Sequence, residues 1–334
     1  MQTEVKNTKN KFSNRSILKD DVDPTQRAWI EVKGSAIEDN IRQIKSLLRD
    51  KCKFMAVVKA DGYGHDAIFV SKCAIKGGAD QLGVATLSEG IVLRNAGINK
   101  PILVLGNIYT KRDFLTCFNY DLMPTISSLR ECLICNNIGE KYHKKFALHL
   151  KVDTGMSRLG FELKEFVHQF NNIQSCENIL IKGIYSHLAS ADEENSLKKN
   201  SLTQIQKNKF QELLKDIKIS QYPEITTHLA NSAGTLLTQD LHFDMVRVGL
   251  SMYGYSPLTH SQKNLILQPA LFLKAKVTFI RSVNENTGVS YGSKFITKRR
   301  TKLAVISIGY ADGINRKLSN NISILHNGKS YPQV

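Results

Sequence analysis

The sequence predicts an α/β fold in which a (β/α)8 barrel of the TIM type is followed by an antiparallel β domain. Eight short apolar runs recur through the first three quarters of the chain, and charged stretches with helical spacing separate most of them. Strands that alternate with helices favour a parallel barrel. Beyond about residue 257, apolar and polar residues alternate between turn residues, which is typical of antiparallel strands.

The expected barrel strands are apolar runs bounded by polar or turn residues. They lie at residues 54–58, 82–85, 102–105, 122–123, 146–152, 180–185, 225–227 and 245–248, the fourth being the weakest. Residues 36–48 and 202–219 have the apolar spacing of amphipathic helices. In the second domain, the alternation over residues 271–279 and the runs 302–308 and 322–325 predict strands.

These patterns divide the chain into three segments. Residues 1–27 are polar and lack the apolar core of a secretory signal, so we expect a disordered extension. Residues 28–260 are assigned to the barrel, and residues 261–334 to a partial β domain. No run of 18 apolar residues occurs, and we therefore expect no membrane span.

The composition raises two further hypotheses. The net charge of +16, from 46 basic and 30 acidic residues, would suit nucleic-acid binding, but the basic residues are scattered and no recognition motif accompanies them. Cys132 and Cys135 form a CxxC pair without the second ligand pair that a structural zinc site needs. We therefore expect no nucleic-acid partner, no metal site, and reduced thiols in a cytoplasmic protein.

A buried run, residues 55–58, leads directly into Lys59 and the flexible segment ADGYGH. This pattern indicates a strand that delivers one lysine to an open loop. Desolvation favours the neutral amine, which is a nucleophile toward carbonyl groups. The alternative is a solvated lysine at a strand end.

Chemically informative residues also follow the later barrel strands, in the segments 151–161, 186–192, 228–235 and 246–254. The carboxyl ends of barrel strands meet on one face, where active sites of such barrels lie. A phosphate would find backbone N–H donors at Gly249 and Leu250 and hydroxyl groups on Ser232 and Tyr63. The alternatives are a turn glycine at Gly249 and a helix cap at Ser232.

Three further polar residues belong to these segments. Arg247 interrupts an apolar run and must be paired there, since arginine keeps its charge. Arg158 follows a glycine-containing turn, from which a guanidinium can bind a substrate carboxylate. His187 is either a core histidine or a contact of a bound ring.

The segment KADGYGH, residues 59–65, resembles the cofactor motif of bacterial alanine racemases, and the similarity extends over roughly residues 27–334. VSYGSKF around Tyr291 and IGYADGINR with Tyr310 and Arg316 resemble later motifs of that family. The resemblance implies that Lys59 binds pyridoxal 5′-phosphate (PLP) as a Schiff base. It also implies a catalytic Tyr291, a site entrance at Tyr310 and Arg316, and a head-to-tail homodimer.

The same resemblance gives roles to the barrel residues. Arg247 would donate to the pyridine nitrogen of PLP and restrain carbanion side chemistry. His187 would pack on the ring or link Arg247 outward. The lysine that matches Lys151 can be carbamylated in the family, which orients the arginine corresponding to Arg158.

The expected function is a two-base interconversion of L- and D-alanine that supplies D-alanine for peptidoglycan. Open alternatives are a serine or broad-specificity racemase, a non-catalytic PLP-binding barrel and an impaired remnant. The last is motivated by the end of the chain at Val334, where the family continues through further strands. We therefore expect a truncated second domain, weak PLP binding and poor racemisation.

Overall fold

The computed structural model describes residues 25–259 and 265–334. The described residues fall into two compact units. Val32–Leu271 form the first unit, and the residues up to Glu31 form the second together with Phe272–Val334. The expected extension over residues 1–27 lies outside the described residues, except for its last three. The domain limits proposed from the sequence remain predictions.

The first unit is built on eight parallel strands in the order β8-β7-β6-β5-β4-β3-β2-β9. In chain order the strands are β1 (Ala28–Val32), which lies outside this sheet, β2 (Lys53–Val57), β3 (Gln81–Val84), β4 (Ile102–Val104), β5 (Met123–Ile126), β6 (Phe146–Lys151), β7 (Ile179–Tyr185), β8 (Thr226–His228) and β9 (Met245–Val248). Each of the eight barrel strands, β2 to β9, overlaps one of the eight apolar runs in the sequence.

The barrel is nearly closed at the seam between β8 and β9. β8 and β9 are the two ends of the strand order, and backbone hydrogen bonds outside the strands span the seam between them. Asp244 N–H donates to Thr227 O over 2.9 Å, and Arg247 N–H donates to Ala230 O over 3.0 Å. These bonds bring the carboxyl ends of β8 and β9 together.

Helices follow most barrel strands, and side-chain caps begin several of them. Thr86 and Thr110 start capping boxes, and Ser128 and Ser201 cap the next helices. The α-helices are Gly34–Lys45, Ala67–Lys76, Leu87–Asn95, Lys111–Asn119, Leu129–Lys141, Leu163–Gln174, Leu202–Asp216 and Ser232–Leu237. The helices expected at residues 36–48 and 202–219 are therefore present, each ending three residues earlier.

Two apolar clusters fill the unit. The larger one lies between the helices and the outer face of the strands, and it includes Ile37, Ile41 and Ile44 of the first helix. The smaller one consists of Met55, Leu103, Met123, Tyr185 and Met245, one residue from each of five strands. Because successive strand residues point to opposite faces, these five side chains fill the barrel interior beneath the carboxyl ends.

The second unit consists of short paired strands. β11 (Val277–Val283) pairs antiparallel with β14 (Thr301–Ile306), β12 (Gly288–Val289) with β13 (Phe295–Ile296), and β15 (Ser323–His326) with β16 (Lys329–Pro332). β1 pairs with β10 (Leu271–Ala275).

The Arg27 guanidinium donates to Ser307 O over 2.6 Å and pairs with the Asp312 carboxylate. Arg27 and most of β1 therefore belong to this unit.

Candidate active site

Lys59 lies directly after β2, at the carboxyl end of the barrel strands. Its side chain is half-buried, and Nζ lies 5.9 Å from the centre of the Tyr63 ring. The residues between them form an unusual turn, because Ala60, Asp61, Gly62 and Tyr63 all have φ between 51° and 61°. This single left-handed turn places the lysine and the phenol on one side of the barrel opening.

Tyr63 faces Gly249 and Ser232, which follow β9 and β8. A Cβ atom on Gly249 would lie 2.6 Å from the Tyr63 hydroxyl, so only glycine permits this approach. The Ser232 hydroxyl accepts from the amides of Gly249, over 3.1 Å, and Ser251, over 3.4 Å. Since Ser232 accepts both bonds, its own proton stays available to an anion. Leu250, between the two amides, is 38% exposed.

Arg247 is buried in β9, and no carboxylate pairs with it among the described residues. Instead, Nη1 donates to His228 Nδ1 over 2.8 Å, and Nη2 lies within 3.0 Å of Ser186 O, Leu229 O and His187 Nδ1. Burial lowers the pKa of Arg247 to about 10, which still leaves it charged at neutral pH. The pairing that its sequence position requires is therefore made with histidine rings and carbonyl groups, and not with a carboxylate of residues 25–259 or 265–334.

The arginine determines the tautomers of the neighbouring histidines. Arginine only donates, so Nδ1 of His187 and Nδ1 of His228 are acceptors and their protons lie on Nε2. His228 Nε2 then donates to His149 Nδ1 over 2.9 Å. Burial and the charge of Arg247 lower the pKa of His187 and of His228 well below the usual range, and that of His149 to about 3. All three rings are neutral.

Lys151 is buried at the end of β6. Burial, followed by the charges of Arg247 and Arg158, lowers its pKa to about 8. The Tyr185 ring contacts both cations, with Lys151 Nζ 5.5 Å and the Arg247 guanidinium 5.0 Å from the ring centre. Tyr185 also stacks on His228 at 4.6 Å. One aromatic ring thus contacts two positive charges.

Arg158 is exposed on the loop after β6. The Asp153 carboxylate accepts from the amides of Gly155, Met156 and Ser157 and so shapes the turn that carries it. The side chain of Gln206 ties this loop to the next one. Its amide nitrogen donates to Thr154 Oγ1 and His187 O over 3.4 and 2.9 Å, and its oxygen accepts from Ala189 N–H over 2.9 Å.

The remaining predicted residues lie in the second unit. Tyr291 is 82% exposed and Tyr310 is 62% exposed. The guanidinium of Arg316 lies 5.7 Å from the centre of the Tyr310 ring, so these two are neighbours. The predicted barrel residues, by contrast, all lie at the carboxyl ends of barrel strands.

Sequence reasoning missed several contributors to the site. The structure adds His149, Tyr185, His228 and Gln206, and Glu89, which bonds to the turn after Lys59. The sequence could have indicated His149, because it lies two residues before Lys151 in β6 and therefore points to the same face of the strand. Gln206 and Glu89 sit on helices and carry no such signal.

Metal and membrane functions find no support in the described part of the chain. No group of three or more His, Cys, Asp or Glu side chains in residues 25–259 and 265–334 is placed to hold a metal ion. All six cysteines are free thiols, including Cys132 and Cys135. Nor does any helix in these residues combine the length and apolarity needed to cross a bilayer.

Comparisons with known proteins agree with this geometry. The model of the alanine racemase N-terminal domain matches residues 32–257, and that of the C-terminal domain matches residues 270–334. The chain belongs to the alanine racemase family. It is 54% identical over 313 residues to the alanine racemase of Prochlorococcus marinus. The aligned residues make up 94% of this chain and 81% of that protein.

Two solved structures extend the similarity to three dimensions. The alanine racemase of Clostridium difficile 630 has a TM-score of 0.82 and 34% identity over 93% of this chain and 80% of its own. That of Bartonella henselae, with covalently bound pyridoxal phosphate, has a TM-score of 0.77 and 30% identity over 91% and 82%. The predicted family, the barrel with a following antiparallel domain, and the PLP-dependent isomerase class are confirmed.

Proposed function

We propose that this chain interconverts L- and D-alanine with PLP bound at the carboxyl end of the barrel, and that Lys59 holds the cofactor covalently. The observation that carries the proposal is the meeting of three features at one end of the strands. These are the Lys59 turn, the anion site formed by Tyr63, Ser232, Gly249 and Leu250, and the buried Arg247.

These residues fit the cofactor. The Ser232 proton and the hydroxyl group of Tyr63 suit a phosphate, and the Leu250 amide would be a further donor, while the Gly249 amide already donates to Ser232 Oγ. Bound there, PLP supplies an electron-withdrawing ring that acidifies the α-C–H bond of an attached amino acid. Arg247 has five N–H donors, and its hydrogen bonds within the described residues leave Nε–H and one N–H of Nη1 unused, so we assign one of these two to the pyridine nitrogen. Since arginine keeps its proton, that nitrogen would remain unprotonated.

Racemisation needs a base on each face of the α-carbon. We assign the proton of the D-enantiomer to Lys59 Nζ and that of the L-enantiomer to the phenol of Tyr291 from a partner subunit. The 82% exposure of Tyr291 supports a role toward another chain. A phenol with an ordinary pKa near ~10 needs cationic help to act as a base, for which we propose Arg247 acting through His187.

Arg158 would bind the carboxylate of the substrate, and Lys151 would influence where that guanidinium lies. A pKa of about 8 gives Lys151 a neutral fraction at physiological pH, which supports carbamylation of its amine by CO2. The carbamate would replace a cation beside Arg158 with an anion. The proposal further includes a head-to-tail homodimer with Tyr310 and Arg316 at the entrance, a cytoplasmic location, and supply of D-alanine to peptidoglycan.

The test is incubation of the purified chain and PLP with L-alanine, and separately with L-serine, followed by chiral analysis. Formation of D-alanine, even at a low rate, with little D-serine is the expected result. Borohydride reduction and peptide mapping of the same sample should place the cofactor on Lys59. A label on a different lysine, or no exchange of either amino acid, would contradict the proposal.

A further inference from the structure

The left-handed turn after Lys59 is held against an intrinsic preference for other conformations. Ala60, Asp61 and Tyr63 all carry a Cβ atom and all have φ above 50°. Such residues disfavour the left-handed region by about 1–2 kcal/mol each. Without outside contacts, the turn would therefore relax and carry Lys59 and Tyr63 away from the positions seen here.

One side chain from another part of the barrel reaches into this turn. Glu89 lies in the first turn of the helix after β3, and its Oε1 accepts from Ala60 N–H over 2.8 Å. Its other oxygen, Oε2, accepts from Ala85 N–H over 2.7 Å and from Thr86 N–H over 3.2 Å. The carboxylate thus joins the residue after Lys59 to the carboxyl end of β3.

We propose that Glu89 is a positioning residue that sets the location of Lys59 Nζ toward the cofactor. The inference rests on the proposed function, since it takes Lys59 as the residue that holds PLP. Ala60 is the first left-handed residue of the turn, and its amide directly follows the lysine in the chain. A hydrogen bond to that amide constrains the backbone at the point where the lysine side chain branches.

The chemistry requires a carboxylate and not merely a polar side chain. Backbone N–H groups approach both oxygens of Glu89, so both positions must accept. An amide of the same shape accepts at one position and donates at the other. Glu89→Gln therefore keeps the volume of the side chain while it places a donor against either Ala60 N–H or the amides that follow β3.

The chain offers a matched control two strands further on. Glu131 also occupies the first turn of a helix, after β5, and its Oε2 accepts from Ser127 N–H over 2.6 Å. Glu131 therefore makes the same kind of bond to a strand end as Glu89, but no hydrogen bond joins it to the Lys59 turn. Glu131→Gln still offers one oxygen to Ser127 N–H, so it measures what the loss of a first-turn carboxylate charge does to the barrel alone.

The experiment compares the wild type, Glu89→Gln and Glu131→Gln. Amide hydrogen exchange without PLP reports the Ala60 bond, the PLP dissociation constant reports the lysine position, and thermal unfolding reports general damage. We expect faster exchange at Ala60 and about ten-fold weaker PLP binding in Glu89→Gln only, the size set by one charge-assisted hydrogen bond. Glu131→Gln should lose less thermal stability than Glu89→Gln, because its one amide oxygen can still accept from Ser127 N–H.

Equal exchange at Ala60 in the wild type and Glu89→Gln would overturn the inference. So would a loss of PLP binding that is the same in both variants. Failure of the proposed function gives a different experimental result from failure of the Glu89 inference, because the wild type itself would then lack racemisation or Lys59 labelling. The exchange at Ala60, which needs no cofactor, would still decide whether Glu89 holds the turn.

Discussion

Arg247 Nη1 lies 2.8 Å from His228 Nδ1, and both side chains are buried among the barrel strands. Because an arginine only donates, this contact makes Nδ1 the acceptor and leaves the proton of His228 on Nε2. The neutral state of the ring is therefore imposed by its neighbour. A sequence of fixed donors and acceptors then runs inward to His149.

Arg247→Lys should disrupt this arrangement although it keeps the charge. One ammonium group cannot reproduce the planar donors that bond to two histidine rings and two carbonyl groups. We expect the free energy of unfolding to fall by about 2 kcal/mol and racemisation to fall at least about ten-fold. Arg42→Lys, an exposed arginine paired with Asp39 and Glu38, is the control and should change neither quantity. Wild-type racemisation in Arg247→Lys would refute the assigned role.

Gly249→Ala should weaken PLP binding through a steric conflict with Tyr63 and an unfavourable backbone conformation. A Cβ on residue 249 would lie 2.6 Å from the Tyr63 hydroxyl, and the backbone there, with φ of −112° and ψ of −89°, lies outside the regions that alanine favours. We expect a PLP dissociation constant about ten-fold higher. When Tyr63→Phe is combined with it, the two effects should be less than additive, because the conflicting hydroxyl is gone. Strict additivity would show that Tyr63 and Gly249 do not share a site.

Lys151 should make stability depend on pH in alkaline solution. Its pKa is about 8 in the folded chain, against about 10.4 for an unfolded lysine. Below pH 8 the folded state bears the full cost of a buried charge. Between these two values it releases a proton that the unfolded state keeps, so the free energy of unfolding rises by ~3 kcal/mol.

The measurement is denaturant unfolding of the wild type and Lys151→Met between pH 7 and 10 in buffer free of CO2. The stability difference between the two chains should move in favour of the wild type as the pH rises. Parallel pH profiles would mean that Lys151 does not titrate in this range. If the amine is carbamylated, added bicarbonate should reduce the change with pH in the stability difference between the two chains, because a carbamate does not titrate as an amine.

Tyr291→Phe should separate the two bases. Loss of the phenol removes the acceptor for the L-enantiomer's proton, so racemisation should be abolished. Deuterium exchange from D-alanine, which depends on Lys59, should continue and can be followed by NMR in D2O. If the variant lost D-alanine exchange as well, or retained racemisation, Tyr291 would not be the second base.

Much of the barrel follows from local pattern. Each of the eight strands overlaps an apolar run bounded by polar residues, because a strand buried on both faces needs apolar side chains throughout. The site could be placed for a related reason, since all parallel strands end on the same face. Lys59, Ser232 and Arg247 were found because polar residues at the end of, or inside, such runs are conspicuous.

The sequence by itself therefore determined the strand order along the chain, the family and the face that carries the chemistry, because these depend on residues close in sequence. Only the tertiary structure decided how distant groups meet. The turn after Lys59 adopts a left-handed conformation that Ala60 and Tyr63 do not favour locally, and Glu89, 29 residues from Ala60, bonds to it. Likewise, β1 pairs with β10 instead of joining the barrel. Hydrogen bonds between residues far apart in sequence override local preference, and local sequence cannot reveal them.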